Sequence, residues 1–288
     1  MTDSVIPDGG FGRSDDELAV LPMALAEGLF TGQVALVSGA GSGIGRATAH
    51  WLARLGAHVV LCGRKAEALY ATAASLGRFG RETLVHPMSI RDPAAVEALF
   101  AATWAHFGRL DLVVNNAGGQ FPQAAIDFSP KGWAAVIDTN LNGTWYMMQA
   151  AARCWREASR PGSIVNVVAS VWRGMPGVAH TCAARAGVIY ASKTVAIEWA
   201  PLNIRVNCVA PGIIATVGMD VYPEQAVRDM PNTNLMRRFG QVEDVANAIC
   251  YLGGPAGGFA TGEVLTLDGG NQLWGDQWTI PRPAYFQV

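Results

Sequence analysis

Short apolar runs recur along the chain and alternate with longer amphipathic stretches. β-like runs fall at Val34–Ser38, His58–Leu61, Thr83–His86, Leu112–Asn115, Ser163–Val168, Ile204–Val209 and Val264–Leu267. Helical stretches lie between most of them. In Ala94–Phe107, the residues Val96, Leu99, Phe100, Thr103 and Phe107 share one face at helical spacing. A second helix is predicted from Ser129-Pro130, a good cap and first-turn pair, to about Glu157. Strands that alternate with helices predict parallel pairing through right-handed crossovers. Continuous apolar runs such as LDLVV and SIVNVV predict strands covered on both faces. The expected class is therefore α/β, a doubly wound parallel sheet with helices on both faces.

Residues 1–29 read as an N-terminal arm, flexible at first and then a short apolar turn or helix. Residues 30–272 read as one catalytic domain. Within it, the stretch of about 213–243 is long and irregular, which is more often a working lid than a linker. Residues 273–288 carry two Trp, a Tyr and a Phe. That is too aromatic for a free tail, so docking on the body or on a neighbouring subunit is expected.

Composition adds some exclusions. Half of the residues are hydrophobic and 15% charged, which suits a large buried core. A net charge of −2 argues against a nucleic-acid binder that relies on phosphate attraction. The apolar runs are strand-length, so no membrane span is expected. The start lacks the basic and apolar regions of a signal peptide, and the end is no SKL-type address. A cytoplasmic location is the expectation. Cys62, Cys154, Cys182, Cys208 and Cys250 form no CxxC or CxxH pair. They read as small apolar core residues, with no metal site.

The first strand runs into VSGAGSGIGRATAHWLARLG. Gly39, Gly43 and Gly45 thus sit at a strand-to-helix junction, with Ser42 and Ile44 between them. Glycines there let backbone N–H groups approach a pyrophosphate at a helix N-terminus, where the dipole also favours an anion. The placement between an apolar strand and an amphipathic helix gives the motif its weight.

The GxxxGxG spacing resembles the short-chain dehydrogenase/reductase family. Further matches follow in the family's order. They are Asn115-Asn116-Ala117-Gly118 after strand four, Asn140 in the next helix, IVNVV on strand five, IRVNCVAPG with Pro211-Gly212 after strand six, and LDGG at Asp268–Gly270. The resemblance covers roughly residues 30–272. It implies a Rossmann fold with a seven-stranded parallel sheet, order 3-2-1-4-5-6-7, and a homotetramer. It also implies cofactor contacts from Asn116, Ala117, Gly118, Ser89, Ile90, Pro211, Gly212 and Ile214. Thr216 matches the hydroxyl that holds the nicotinamide carboxamide.

The cofactor choice has a physical argument. NAD enzymes place an acid at the end of strand two for the ribose 2′-hydroxyl, whereas NADP enzymes supply Arg or Lys for the 2′-phosphate. Here Gly63 stands where the acid would be, followed by Arg64 and Lys65. A phosphate suits a bidentate guanidinium, so NADP(H) is the expected cofactor.

The family's usual Ser, Tyr and Lys are not in register. Counting back from IRVN places the tyrosine near Thr181 and the lysine near Arg185. Counting from Asn166 places the serine at Ala169, with Ser170 beside it. Tyr190-Ala191-Ser192-Lys193 tempts the eye, but Tyr190 lies about two and a half turns further along the helix. Tyr190 and Lys193 are expected to be packing or subunit-contact residues. The segment from His180 to Ile214 resembles a divergent branch, the peroxisomal trans-2-enoyl-CoA and 2,4-dienoyl-CoA reductases. Bacterial citronellol/citronellal dehydrogenase-like proteins are comparably similar.

Hydride addition to an enoyl thioester builds negative charge on the thioester oxygen, which needs donors, and an acid must then protonate the α-carbon. Candidate donors are Asn140, Ser170, Thr181 and His180, of which His180 has the best intrinsic pKa. Arg185 can hold the nicotinamide ribose but cannot practically give up a proton. Trp172 and Arg173 are expected at the pocket entrance. Arg237 and Arg238 are open to two readings, a CoA-phosphate contact or a solvated face. Three functions follow. The leading one is NADP(H)-dependent reduction of an activated C=C bond in a small hydrophobic or acyl-CoA substrate. The others are alcohol/carbonyl interconversion on a terpenoid-like substrate, and a catalytically silent NADP-binding protein.

Overall fold

The computed structural model describes residues 11–273. The aromatic tail from Trp274 onward lies outside the described residues.

Seven strands form one sheet: β1 (Val34–Ser38), β2 (His58–Gly63), β3 (Thr83–Pro87), β4 (Leu112–Asn115), β5 (Gly162–Val167), β6 (Ile204–Pro211) and β7 (Val264–Leu267). Their order is β3-β2-β1-β4-β5-β6-β7, as expected, and each neighbouring pair is parallel. The helices are α1 (Asp15–Val20), α2 (Gly43–Arg54), α3 (Ala66–Leu76), α4 (Pro93–Phe107), α5 (Pro130–Ile137), α6 (Thr144–Glu157), α7 (Ala179–Trp199), α8 (Glu224–Asp229) and α9 (Val242–Gly253).

Alternation along β1 shows how both faces are used. Ala35 and Val37 join the cluster built with Trp51 of α2 and Val245 and Ile249 of α9. Val34 and Leu36 join the opposite cluster, with Leu99 and Phe100 of α4 and Met147 of α6. Successive strand residues point to opposite faces, so an all-apolar strand feeds two cores. Cys62 and Cys250 are buried in these cores, and Cys208 in a smaller cluster with Val188 and Ile189 of α7.

Local signals explain the helix starts. Asp92 accepts from the N–H groups of Ala94 and Ala95, with Pro93 in the first turn of α4. Ser129 caps α5 by accepting from Gly132, ahead of Pro130. The helix predicted from Ser129 to Glu157 is not uniform: a π-helical turn, Asp138–Gly143, joins α5 to α6. Such wide turns collect at functional sites.

Residues 11–29, expected as an arm that starts out flexible, are packed on the body. Ser14 and Glu17 form a reciprocal capping box that starts α1. Leu18 is buried, and Arg54 donates to the carbonyls of Leu18 (2.9 Å) and Leu21 (2.7 Å). His50 of α2 is fully buried beneath the arm, its Nε2 3.2 Å from Asp15 Oδ1. Burial pushes its imidazole down to about 4, against the pull of Asp15. A free histidine titrates near 6.5. The unfolded chain therefore takes up a proton that the folded chain refuses until about pH 4. This part of the stability is present above pH ~6.5 and is lost as pH falls from there to about 4, a change on the order of 3 kcal/mol. Thermal denaturation across that range should show the fall, and His50→Gln should flatten it. An equal slope in both proteins would remove His50 from the account.

Candidate active site

The C-terminal ends of β1 and β4 lie side by side, where the strand order reverses and open α/β sheets form a crevice. Gly39 leaves β1 with φ +68°, a left-handed conformation. Its carbonyl lies so near Gly45 that a Cβ there would overlap both Gly39 O and Asn116 Nδ2. Loop, helix and strand end are thus packed at backbone distance.

Asn116 is the brace: its Nδ2 donates to the carbonyls of Ser38 (3.0 Å) and Gly39 (3.3 Å). The Ser38 hydroxyl accepts from the N–H groups of Asn116 (3.1 Å) and Ala117 (3.0 Å). Asn116 therefore braces the glycine loop through its side chain. Ser42 is the extended N-cap residue of α2, and its side chain makes no capping bond. The first-turn amides of Gly43, Ile44 and Gly45 have no partner within the helix.

Thr216 stands across from this helix start, its methyl 3.5 Å from where a Cβ on Gly43 would lie. Its hydroxyl accepts from Gly218 N (3.2 Å). Pro211 ends β6, Gly212 packs on Asp268, and buried Ile214 bridges to Gly240. At β2, Arg64 and Lys65 are exposed. A Cβ on Gly63 would meet only ordinary contacts, 3.6 Å to Leu69 and 3.8 Å to Gly39. Ser89 accepts from Arg91 N (3.3 Å), while the Ile90 side chain is buried against Gly143 of the π turn.

The π turn carries Asn140, which is 1% exposed. Its side chain accepts from Gly119 N (3.0 Å) and donates to Gly119 O (2.9 Å), so the loop after β4 is pinned by two bonds. Asn140 thus has its amide engaged with the main chain. Its own carbonyl accepts from Thr144 (3.0 Å) and from Arg185 Nη1 (3.4 Å).

Arg185, on α7, is 7% exposed and forms no ion pair among the described residues. Burial pulls its guanidinium down to about 10, so it stays charged at neutral pH. Its Nη2 lies directly over Gly118, where any Cβ would overlap it. A buried cation without a carboxylate is costly.

His180 and Thr181 open α7. His180 is fully buried, edge-on to Phe121 (4.8 Å between centroids) and tilted against Phe128 (4.4 Å). Its Nδ1 accepts from Thr181 N (2.7 Å), and the Thr181 hydroxyl lies 3.3 Å away. That assigns the proton to Nε2, which is buried without a hydrogen bond. Burial lowers its pKa, although the Val178 and Phe121 carbonyls oppose the shift. The direction of this shift runs against the acid role expected of His180. Ser170 differs from expectation too. Its hydroxyl donates to Asp268 Oδ2 (2.7 Å), so its proton is committed to tying β5 to β7.

Trp172 is 45% exposed and Arg173 donates to Asn271 O (3.3 Å). Arg238 pairs with Asp244 at 3.4 Å. Tyr190 is 68% exposed, with Lys193 Nζ 5.5 Å from its ring centroid. Both stand on the outer face of α7, away from Arg185. Tyr190→Phe and Lys193→Ala should keep turnover within about twofold, because surface changes away from special features do little. A loss above tenfold in a steady-state assay would return this pair to the site.

Two arrangements carried no sequence signal. Gln120 Nε2 donates to Tyr222 Oη (2.6 Å), linking the loop after β4 to the 213–243 stretch. Behind the crevice, Asn115 donates to Asn166 (2.8 Å) and Asn166 to Ser192 (2.8 Å), a buried chain across β4, β5 and α7.

Residues 39–272 match the family model described as enoyl-(acyl carrier protein) reductase. A probable 2,4-dienoyl-CoA reductase [(2E)-enoyl-CoA-producing] of Bacillus subtilis (strain 168) is 36% identical over 253 residues, 86% of this chain and 97% of that protein. A 3-oxoacyl-[acyl-carrier-protein] reductase of Synechocystis sp. is 36% identical over 244 residues, 83% of this chain and 97% of that protein. Among solved structures, the citronellol catabolism dehydrogenase of Pseudomonas aeruginosa PAO1 superposes with a TM-score of 0.77 at 40% identity, covering 86% of this chain and 98% of that one. The chain belongs to the short-chain dehydrogenase/reductase family of oxidoreductases.

Proposed function

We propose that the protein is an NADP(H)-dependent reductase of an activated C=C bond in an enoyl thioester. The observation that carries this reading is Arg185, a buried guanidinium with no carboxylate partner among the described residues, held between Gly118 and the Asn140 carbonyl. The cradle fits a dinucleotide: a Cβ at Gly45 would fill the close approach, and Thr216 faces the helix start. NADP(H), when bound, supplies the hydride.

The protein's own residues do the rest. First-turn amides of α2 and Ser42 hold phosphate, and Arg64 and Lys65 meet the 2′-phosphate. Asn140 fixes the Gly118–Gln120 loop, and Arg185 orients the nicotinamide ribose. Thr181 and the Nε2–H of His180 are the side-chain donors proposed for the thioester oxygen. A neutral imidazole donates a hydrogen bond without releasing its proton. Water is the proposed source of the proton that ends on the α-carbon. We also propose the homotetramer. Exposed Tyr190 and Ile197 on α7 suit a face against a second copy.

NADPH oxidation should be faster with trans-2-enoyl- and 2,4-dienoyl-CoA than with enals, and faster than NADP+ reduction by terpenoid alcohols. The 40% identity to the citronellol enzyme supports the second reading, alcohol/carbonyl interconversion. Turnover of alcohols alone would establish that one. Cofactor binding without turnover of any of these would leave a silent binding protein.

Gly63→Asp tests the cofactor. Its Cβ has room, and its charge would repel the 2′-phosphate while accepting from a ribose hydroxyl. The ratio of kcat/KM for NADPH over NADH should fall ~100-fold. An unchanged ratio would move the 2′-phosphate elsewhere.

A further inference from the structure

We infer that residues 11–17 are a strap that sets the width of the cofactor crevice, with Arg13 as its positioning residue. The inference rests on the NADP(H) reading of the crevice.

Three parts of the chain meet at this strap. The first is the start of α2, with Ser42, Gly43 and Arg46. The second is the segment after Thr216, represented by Val217. The third is the first turn of α9, with Val242 and Glu243. Gly12, Arg13, Ser42, Gly43 and Val217 line a cavity of about 60 Å³ between them.

Each part is tied to the strap by its own contact. Arg13 Nη2 lies 2.8 Å from Glu243 Oε1, and its Nε reaches Oε2 at 3.5 Å, a two-point hold on α9. Glu243 raises the pKa of Arg13, as a close ion pair does. From α2, Arg46 Nη2 donates to the Arg13 carbonyl, and Arg46 Nη1 lies 3.6 Å from Asp15. Phe11 packs edge-on to Phe239 at 5.1 Å and joins the cluster of Ala215, Val227 and Phe239 at the base of the 213–243 stretch.

The consequence is geometric. Ser42 and Gly43 present one wall of the crevice and Thr216 the other, 3.5 Å from the Cβ position of Gly43. A dinucleotide must touch both walls at once. The strap is bonded to α2 of the first wall and to α9, which follows the second wall in the chain, and it packs against the second wall through Gly12 and Phe11. Without it the second wall has more freedom, and binding has to order it. Affinity then drops by the fraction of molecules with the walls correctly spaced. Arg13 touches no reacting atom, so the effect belongs on cofactor affinity and not on the chemical step.

NADPH is titrated by fluorescence into the full chain, Arg13→Ala, Glu243→Ala, and the exchanged pair Arg13→Glu with Glu243→Arg. Each single variant should weaken NADPH about tenfold, and the exchange should recover to within about threefold. The kcat at saturating NADPH should stay within about twofold. Deletion of residues 1–13 should match Arg13→Ala, and it stands in if a point variant fails to fold. The strap is overturned if the unaltered protein binds NADPH and the variants bind it equally, or if kcat falls with unchanged affinity. No NADPH binding by the unaltered protein overturns the cofactor reading itself, and the strap with it.

Discussion

Arg185→Met lowers kcat/KM by ~1,000-fold, while thermal stability holds or rises. The guanidinium is buried with no ion-pair partner among the described residues, and replacing such a charge with an apolar side chain of similar volume is often neutral or stabilising. Turnover loses a preorganised cation, an effect of about 10²–10³ for one donor. Arg185→Lys keeps the charge but loses the reach to both Asn140 O and Gly118, so it falls between the two. Gly118→Ala gives an independent route to the same result. Its methyl would overlap Arg185 Nη2, so the guanidinium must move while its charge is untouched. Both variants are read in steady-state assays beside melting curves. If Arg185→Met unfolds the protein and Gly118→Ala is fully active, the cation is structural.

Gly45→Val removes cofactor binding by at least ~100-fold and also costs stability, about 1–3 kcal/mol for an overpacked site. The new side chain would overlap Gly39 O and Asn116 Nδ2. Relief requires the loop to lift away from β4, which breaks the brace from Asn116 to Ser38 and Gly39. The amides then no longer converge on one phosphate. Calorimetric titration with NADPH reads the affinity, and denaturant unfolding reads the stability. Retained tight binding would mean that phosphate is held elsewhere.

The sheet was readable because its signals are local. An apolar run of four to six residues buried on both faces has few alternatives, and all seven runs became strands. Their ends moved by a residue or two where the ladder continues through a glycine or proline, as at Gly63 and Pro211. The glycine loop was readable for the same reason. The π turn was not, since nothing in DTNLNG distinguishes it from an ordinary helical turn. The state of His180 was also out of reach. Its residue type suggests an acid, but the enclosing Phe121 and Phe128 come from a different loop. Ser170 is similar: its partner Asp268 is 98 residues away. The arm was read from the sequence, but its docking was not, despite one local signal. Ser14 and Glu17 have capping-box spacing, but the contacts of Arg13 and Asp15 that dock the arm on α9 and α2 are tertiary.

The position of residues 11–17 bears on how the protein is handled in the laboratory. A fused affinity tag at the amino terminus would be joined only ten residues before Phe11. A polyhistidine or a bulky fusion partner there acts on the chain that leads into residues 11–17. Preparations that differ only in such a tag should then report different NADPH dissociation constants, with indistinguishable maximal rates.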